Sequence, residues 1–176
     1  LGDLRVPGTA KRHISAADEL YMFAANMGGM GYIDHVRAKI MHDNALINAN
    51  TLEAARKSKI RGVFFASSAC VYPLEKQASS RNKGLKEEDA IPADPDTMYG
   101  WEKLYSEMLG KSYALDYGMK VHVARFHNVY GPEGAFDGGK EKSIAALCRK
   151  IANAKSGDAI EVWGDGKQTR SYCYID

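Results

Sequence analysis

Apolar and polar positions fall into blocks along this chain. Leu20-Tyr21-Met22-Phe23-Ala24-Ala25 is a short apolar run that stops at Asn26-Met27-Gly28-Gly29-Met30-Gly31. That is the pattern of a buried strand followed by a flexible turn. From about Val36 to Lys57, Val36, Ile40, Ile47 and Ala54 recur at helical spacing, with Asn44 and Thr51 on the same face. Val63-Phe64-Phe65-Ala66 is the next strand and runs into Ser67-Ser68-Ala69-Cys70-Val71-Tyr72-Pro73. A polar stretch from about Leu74 to Asp96 reads as loop. Asp96 or Thr97 can then cap a helix that runs to about Tyr117, with Gly118 placed to end it.

Val121-His122-Val123-Ala124-Arg125-Phe126 is a third strand, closed by Tyr130-Gly131-Pro132. Ile144, Leu147, Cys148 and Ile151 mark an amphipathic helix. Asp165-Gly166 predicts a hairpin between Ile160-Glu161-Val162-Trp163 and Ser171-Tyr172-Cys173-Tyr174-Ile175. Strands alternating with helices predict an α/β fold: a doubly wound parallel sheet with helices on both faces. Ligands in such sheets collect at the carboxyl ends of the strands. Three loops rich in small or polar residues lie there: Asn26 to Gly31, Ser67 to Tyr72 and His127 to Gly131.

Composition narrows the function. In 176 residues, 24 Lys and Arg oppose 22 Asp and Glu, a net charge of +2, so no polybasic arm for nucleic acid is present. The cysteines Cys70, Cys148 and Cys173 lie far apart, which fits a reducing, cytoplasmic compartment better than a disulfide scaffold. The five histidines form no H-E-x-x-H, so no metal is expected. No apolar run approaches the roughly 20 residues that span a bilayer, and no membrane partner is expected. The chain starts at Leu1 without Met and stops at Asp176 directly after a strand-like run, so a fragment is expected.

Tyr99-Gly100-Trp101-Glu102-Lys103 sets a phenol and an ammonium four residues apart, on one helix face. An adjacent ammonium favours the phenolate, so Lys103 is expected to lower the Tyr99 pKa toward values useful for taking a proton from an alcohol. A hydroxyl at the strand end, Ser68, could bond the same oxygen, and Cys70 lies two residues further. Read alone, Cys70 is a small buried apolar residue, as most free cysteines are. Lys142, near the start of a helix and close to Lys140, sits where the backbone dipole and a like charge depress an ammonium pKa. In isolation it reads as a solvated surface lysine partly offset by Glu141. Gly28-Gly29-Met30-Gly31 does not match G-x-G-x-x-G, and neither does any other segment. Its glycines suit close backbone approach to a bulky ligand.

Together, Ala24-Ala25, Ser67 to Pro73, Tyr99-x-x-x-Lys103, Arg125-Phe126-His127-Asn128-Val129-Tyr130-Gly131-Pro132 and Trp163 to Ser171 resemble the extended short-chain dehydrogenase/reductase superfamily. Asn26 to Gly31, Ser68-Ala69-Cys70 and Gly138-Gly139-Lys140-Glu141-Lys142 are most similar to its GDP-mannose 3,5-epimerases. The resemblance implies a Rossmann-like, NAD-binding fold whose first βαβ unit and most of the small sugar-nucleotide lobe are missing here. Residues 1–132 would be a partial dinucleotide-binding domain carrying the catalytic residues, and 133–176 the start of the sugar-nucleotide region.

It implies a catalytic set of Ser68, Cys70, Tyr99, Lys103 and Lys142. Tyr99, helped by Lys103 and Ser68, would deprotonate the C4 hydroxyl of GDP-mannose as NAD takes the hydride. Cys70 and Lys142 would be the acid and base that invert C3 and C5. Asp3 and Leu4, with Tyr99 and Lys103, would contact the cofactor; Gly28, Ser68, Asn128, Lys142 and Arg170 would contact substrate. Asn44 fits an internal structural position. Homodimerisation through the two long helices is expected from the same resemblance. Two alternatives remain: a GDP-4-keto-6-deoxymannose epimerase/reductase of GDP-fucose synthesis, which consumes NADPH and carries histidine in place of Lys142, and a non-catalytic nucleotide-sugar-binding protein.

Overall fold

The computed structural model describes residues 2–77, 84–167 and 169–176. In chain order its elements are α1 (Thr9–Ile14), β1 (Glu19–Met22), α2 (Met30–His35), α3 (Arg37–Lys57), β2 (Gly62–Ser68), α4 (Met98–Tyr117), β3 (Val121–Phe126), β4 (Asn128–Tyr130), α5 (Ser143–Asn153) and β5 (Tyr172–Tyr174). The strands β1, β2 and β3 form one parallel sheet in that order, with Met22 beside Phe65 and Phe65 beside Val123. This is the predicted α/β architecture.

Alternation along each strand sends Met22, Val63 and Phe65 to one face. There they pack with Ala10 and Ile14 of α1, Leu52, Ala54 and Ala55 of α3, and Leu109 and Tyr113 of α4. The intervening residues Tyr21, Phe23, Phe64 and Phe126 turn the other way and form a chain of rings 5.8–6.3 Å apart. Helices were expected on both faces; among the described residues α1, α3 and α4 all share one. Phe23 on the opposite face is 62% exposed.

The helix limits follow their caps. Thr97 accepts a hydrogen bond from the Gly100 amide at 3.1 Å, and the chain leaves α4 at Gly118 with φ +67°. The first strand is shorter than its apolar run: pairing stops at Met22, and the Asn26 amide turns instead to the Asn44 side chain at 2.6 Å.

The predicted hairpin is not formed. β5 pairs with β4, and in parallel, while residues 160–163 lie outside any strand. The turn itself exists, with Gly164 and Gly166 at positive φ and Asp165 accepting the Lys167 amide at 3.0 Å. Its first arm is held elsewhere, because Lys150 of α5 donates to the Glu161 carbonyl at 2.9 Å. No helix among the described residues is long and apolar enough to cross a membrane.

Candidate functional site

The carboxyl end of β2 and the first turns of α4 meet over a close backbone approach. A Cβ on Gly100 would collide with the Cys70 carbonyl oxygen, so glycine at this position lets the turn at Ala69–Val71 settle onto the helix. Within that turn the Cys70 amide donates to the Ser68 hydroxyl at 3.2 Å. Ser68, Cys70, Tyr99 and Lys103 are thereby gathered from one strand end and one helix face. Tyr99 is buried with Ile33 and Ile40, and Met27, Tyr32, Val36 and Cys70 pack against this cluster.

The electrostatics depart from the sequence expectation in one respect. Lys103 does not lower the Tyr99 pKa. Burial, reinforced by Cys70 and Glu102, pushes the phenol well above its ordinary value, and only the Ser68 hydroxyl acts against it. The reason is geometric: the Lys103 ammonium donates to the Ala66 carbonyl at 2.9 Å and stands 5.7 Å from the centre of the Tyr99 ring. Its own pKa is lowered, chiefly by burial. Burial likewise raises the Cys70 thiol, while Ser68, Lys142 and Arg170 pull it down and Asp96 pushes it up. Thiol and phenol are therefore the resting forms.

Lys142 and Arg170 thus act on Cys70 across a long sequence separation. Lys142 is the cap residue of α5, and its segment is docked on the glycine loop: the Gly29 amide donates to the Lys140 carbonyl at 3.0 Å. A Cβ on Gly29 would strike the Glu141 carbonyl, and one on buried Gly28 would press on the Tyr32 ring. Asn128 is brought beside the strip that bears Arg170, donating through its side chain to the Ser171 carbonyl at 3.2 Å. Arg170 is exposed. Asp96, read from sequence only as a helix cap, belongs to this group as well. Burial raises its carboxyl pKa, Asp34 adds to the shift, and Arg170 opposes it. Its position beside Thr97 and Tyr99 was the available signal.

Asp3 and Leu4 lie apart from this cluster, at a cavity of about 410 Å³ lined also by Gly2, Arg5, Ala24, Ala25, Asn26, Asp43 and Ile47. Arg5 grips both Asp3 oxygens at 2.7–3.1 Å and lowers its carboxyl to about 2. Leu4, Ala24, Ala25 and Ile47 give it apolar walls, and Asp3, Arg5, Asn26 and Asp43 a polar rim. A second cavity, of about 270 Å³, lies between the carboxyl ends of α3 and α4, lined by Arg56, Lys59 and Lys120, away from all these residues. Among the described residues no cluster of three His, Cys, Asp or Glu side chains is placed to hold a metal ion.

A parallel sheet with polar loops at its carboxyl ends and a Tyr-x-x-x-Lys helix describe a Rossmann-like α/β fold. The chain belongs to the NAD dependent epimerase/dehydratase family, whose model matches residues 1–176. It is similar to the GDP-mannose 3,5-epimerase of Arabidopsis thaliana, 48% identical over all of this chain and 46% of the relative. Similarity extends to the GDP-L-fucose synthase of Escherichia coli (strain K12), at 28% identity over 90% of this chain and 50% of that protein. A solved GDP-L-fucose synthetase from Naegleria fowleri, bound to NADP, shares the fold with a TM-score of 0.79 at 23% identity, covering 98% of this chain and 57% of that one. The chain spans about half the length of the curated relatives it matches.

Proposed function

We propose that this chain carries the catalytic residues of an isomerase that converts GDP-mannose to GDP-L-galactose by oxidation at C4, inversion at C3 and C5, and re-reduction. The residues fit a nicotinamide dinucleotide at both ends. The cavity at Asp3 and Leu4 suits its adenosine, and the face of Tyr99 and Lys103 suits its nicotinamide. When bound, the dinucleotide supplies a hydride acceptor and a cationic ring. Tyr99 and Ser68 would hold the C4 hydroxyl, with Tyr99 accepting its proton as the phenolate; because the phenol is the resting form, it must first give up its own proton, which needs a cation closer than Lys103 stands here.

Once C4 is a ketone, the hydrogens on C3 and C5 become acidic. Cys70 and Lys142 would remove a proton from one face of the ring and return one to the other. Gly28, Asn128 and Arg170 would line the sugar-nucleotide side, the guanidinium fork matching a diphosphate. Residues from 133 onward would belong to that sugar-nucleotide region.

The observation that carries this reading is that Ser68, Cys70, Tyr99 and Lys103 are gathered at one strand end and one helix face, with the Lys140–Lys142 segment docked on the neighbouring glycine loop. The 48% identity to a plant GDP-mannose 3,5-epimerase supports it. An apolar stripe on α4, exposed at Trp101, Tyr105, Met108 and Leu115, supports a homodimer formed through the long helices.

The test is incubation of the protein with GDP-mannose and catalytic NAD in deuterated water. Exchange at C3 and C5 without net NADH is expected. Tyr99→Phe should cut that exchange by about 10²–10⁴-fold, whereas Cys70→Ser should permit oxidation but leave a 4-keto sugar detectable by mass. Full inversion by Cys70→Ser would refute the assigned roles. Net NADPH consumption with a 4-keto-6-deoxy substrate would favour the fucose-synthase reading instead.

A further inference from the structure

One aromatic residue outside the expected set joins both sides of the site. The Tyr32 hydroxyl donates to Asn26 Oδ1 at 2.8 Å, and its ring lies under the Lys140 ammonium, 4.5 Å from the centroid. The same ring packs, as Cys70 does, against the cluster of Ile33, Ile40 and Tyr99, and Gly28 lies so close that no side chain fits between.

Asn26 is itself fixed on all its polar groups. Its amide and carbonyl are paired with the Asn44 side chain at 2.6 and 3.1 Å, and its Nδ2 donates to Asp43 Oδ2 at 3.2 Å. Asp43 in turn is buried and held by Lys39 at 2.9 Å and Arg5 at 3.2 Å. The ring of Tyr32 is thus a fixed platform, anchored to α3. The segment resting on it has two further ties: the Lys140 carbonyl accepts the Gly29 amide, and Glu141 pairs with Arg149 at 2.9 Å.

We propose that Tyr32 is a positioning residue, which sets Lys142 against Cys70 through the contact between its ring and Lys140. The proposal rests on the Cys70–Lys142 pairing of the proposed function. A cation seated on an aromatic face keeps the segment's approach fixed where no backbone ladder does so. Loss of the platform lets the Lys140–Lys142 segment drift, and the thiol then loses part of the positive field that favours its ionisation. The charged and titratable groups facing Cys70 are Lys142 and Arg170, which lower its pKa, Asp96, which raises it, and Tyr99 and Lys103 from α4.

The experiment is the pH profile of Cys70 alkylation by iodoacetamide, in a Cys148→Ser/Cys173→Ser background that removes the two exposed thiols. Lys142→Ala should move the profile to higher pH and slow alkylation at pH 8 by about threefold, because the thiolate is the reactive form. Tyr32→Leu should do the same, and the double variant should add nothing further. Lys140→Met should match them, with Lys140→Arg restoring the original profile; Lys140 is exposed, so these variants read the contact without a core change.

An unchanged profile in Tyr32→Leu and Lys140→Met, beside a shifted one in Lys142→Ala, overturns the role of Tyr32 alone. An unchanged profile in Lys142→Ala overturns the Cys70–Lys142 pairing and this role with it.

Discussion

The two sides of the candidate site are built differently. Tyr99, Lys103 and Ser68 stand on α4 and β2; α4 buries eight of its residues, and Phe65 and Val63 of β2 are in the main core. Lys142, Asn128 and Arg170 come from the region after β3, where α5 buries none and β5 is exposed throughout. The groups assigned to oxidation are thus embedded in packed structure. Cys70, assigned to inversion, packs on that same side, whereas Lys142 and the substrate contacts Asn128 and Arg170 are held by a few polar ties, such as the Gly29 amide on the Lys140 carbonyl. Packing fixes a side chain through many weak contacts at once, whereas one hydrogen bond leaves the rest of a segment free to adjust. The first side therefore specifies one arrangement, and the second is suited to adapt to a ligand.

The sharpest way to break this contrast uses ion pairs. On the packed side Arg125 binds Glu107 at 2.7 Å, and the Glu107 side chain is only 5% exposed. Glu107 also accepts a short hydrogen bond from Ser67. Arg125→Met should cost about 3–5 kcal/mol in urea unfolding, because it strands a buried carboxylate.

A smaller effect is expected from Gly100→Ala. The new methyl would meet the Cys70 carbonyl, costing about 1–3 kcal/mol. It should also slow the exchange reaction by displacing the turn that carries Cys70, which parallel melting and rate measurements would resolve.

Acid titration gives a milder test on the packed side. Arg56, with Lys57 and Tyr113 assisting, holds the Glu53 carboxyl at about 2, below its ordinary 4.5. Its folded value is the lower one, so its contribution to stability is complete above about pH 4.5 and fades as the pH falls toward 2. Glu53→Gln should flatten that part of the stability profile. Weakest of all should be Glu161→Gln on the exposed side, where the Lys150 pair spans 3.5 Å and the Glu161 side chain is 78% exposed. It should change the melting free energy by less than about 0.5 kcal/mol.

Much of the scaffold was readable from short-range pattern. Apolar runs located β2 and β3, and spacing located α3, α4 and α5. Thr97 and Gly118 marked the ends of α4, because caps act on neighbours in the chain. The strand-end position of Ser68 and Cys70, with a hydroxyl able to bond the oxygen that Tyr99 would deprotonate, put the three in one neighbourhood. What was misread depended on distant partners. The Asp165-Gly166 turn forms, yet Lys150 draws its first arm toward α5, so no hairpin results. Glu102, buried against Asn48, and Glu107, buried against Ser67 and Arg125, likewise owe their burial to partners far away in the chain.

The sequence by itself determined β2, β3 and the helices α3, α4 and α5, and which chemistry-bearing residue types lie at the strand ends, because periodicity and capping are local. Only the tertiary structure decided how those groups are charged and which of them face one another. Burial raises Tyr99 although a lysine lies one helical turn away, since the direction taken by Lys103 depends on the Ala66 carbonyl of another element. The docking of the Lys140–Lys142 segment on the Gly28–Gly29 loop and the Tyr32 ring, far away in the chain, is likewise linked by no local pattern.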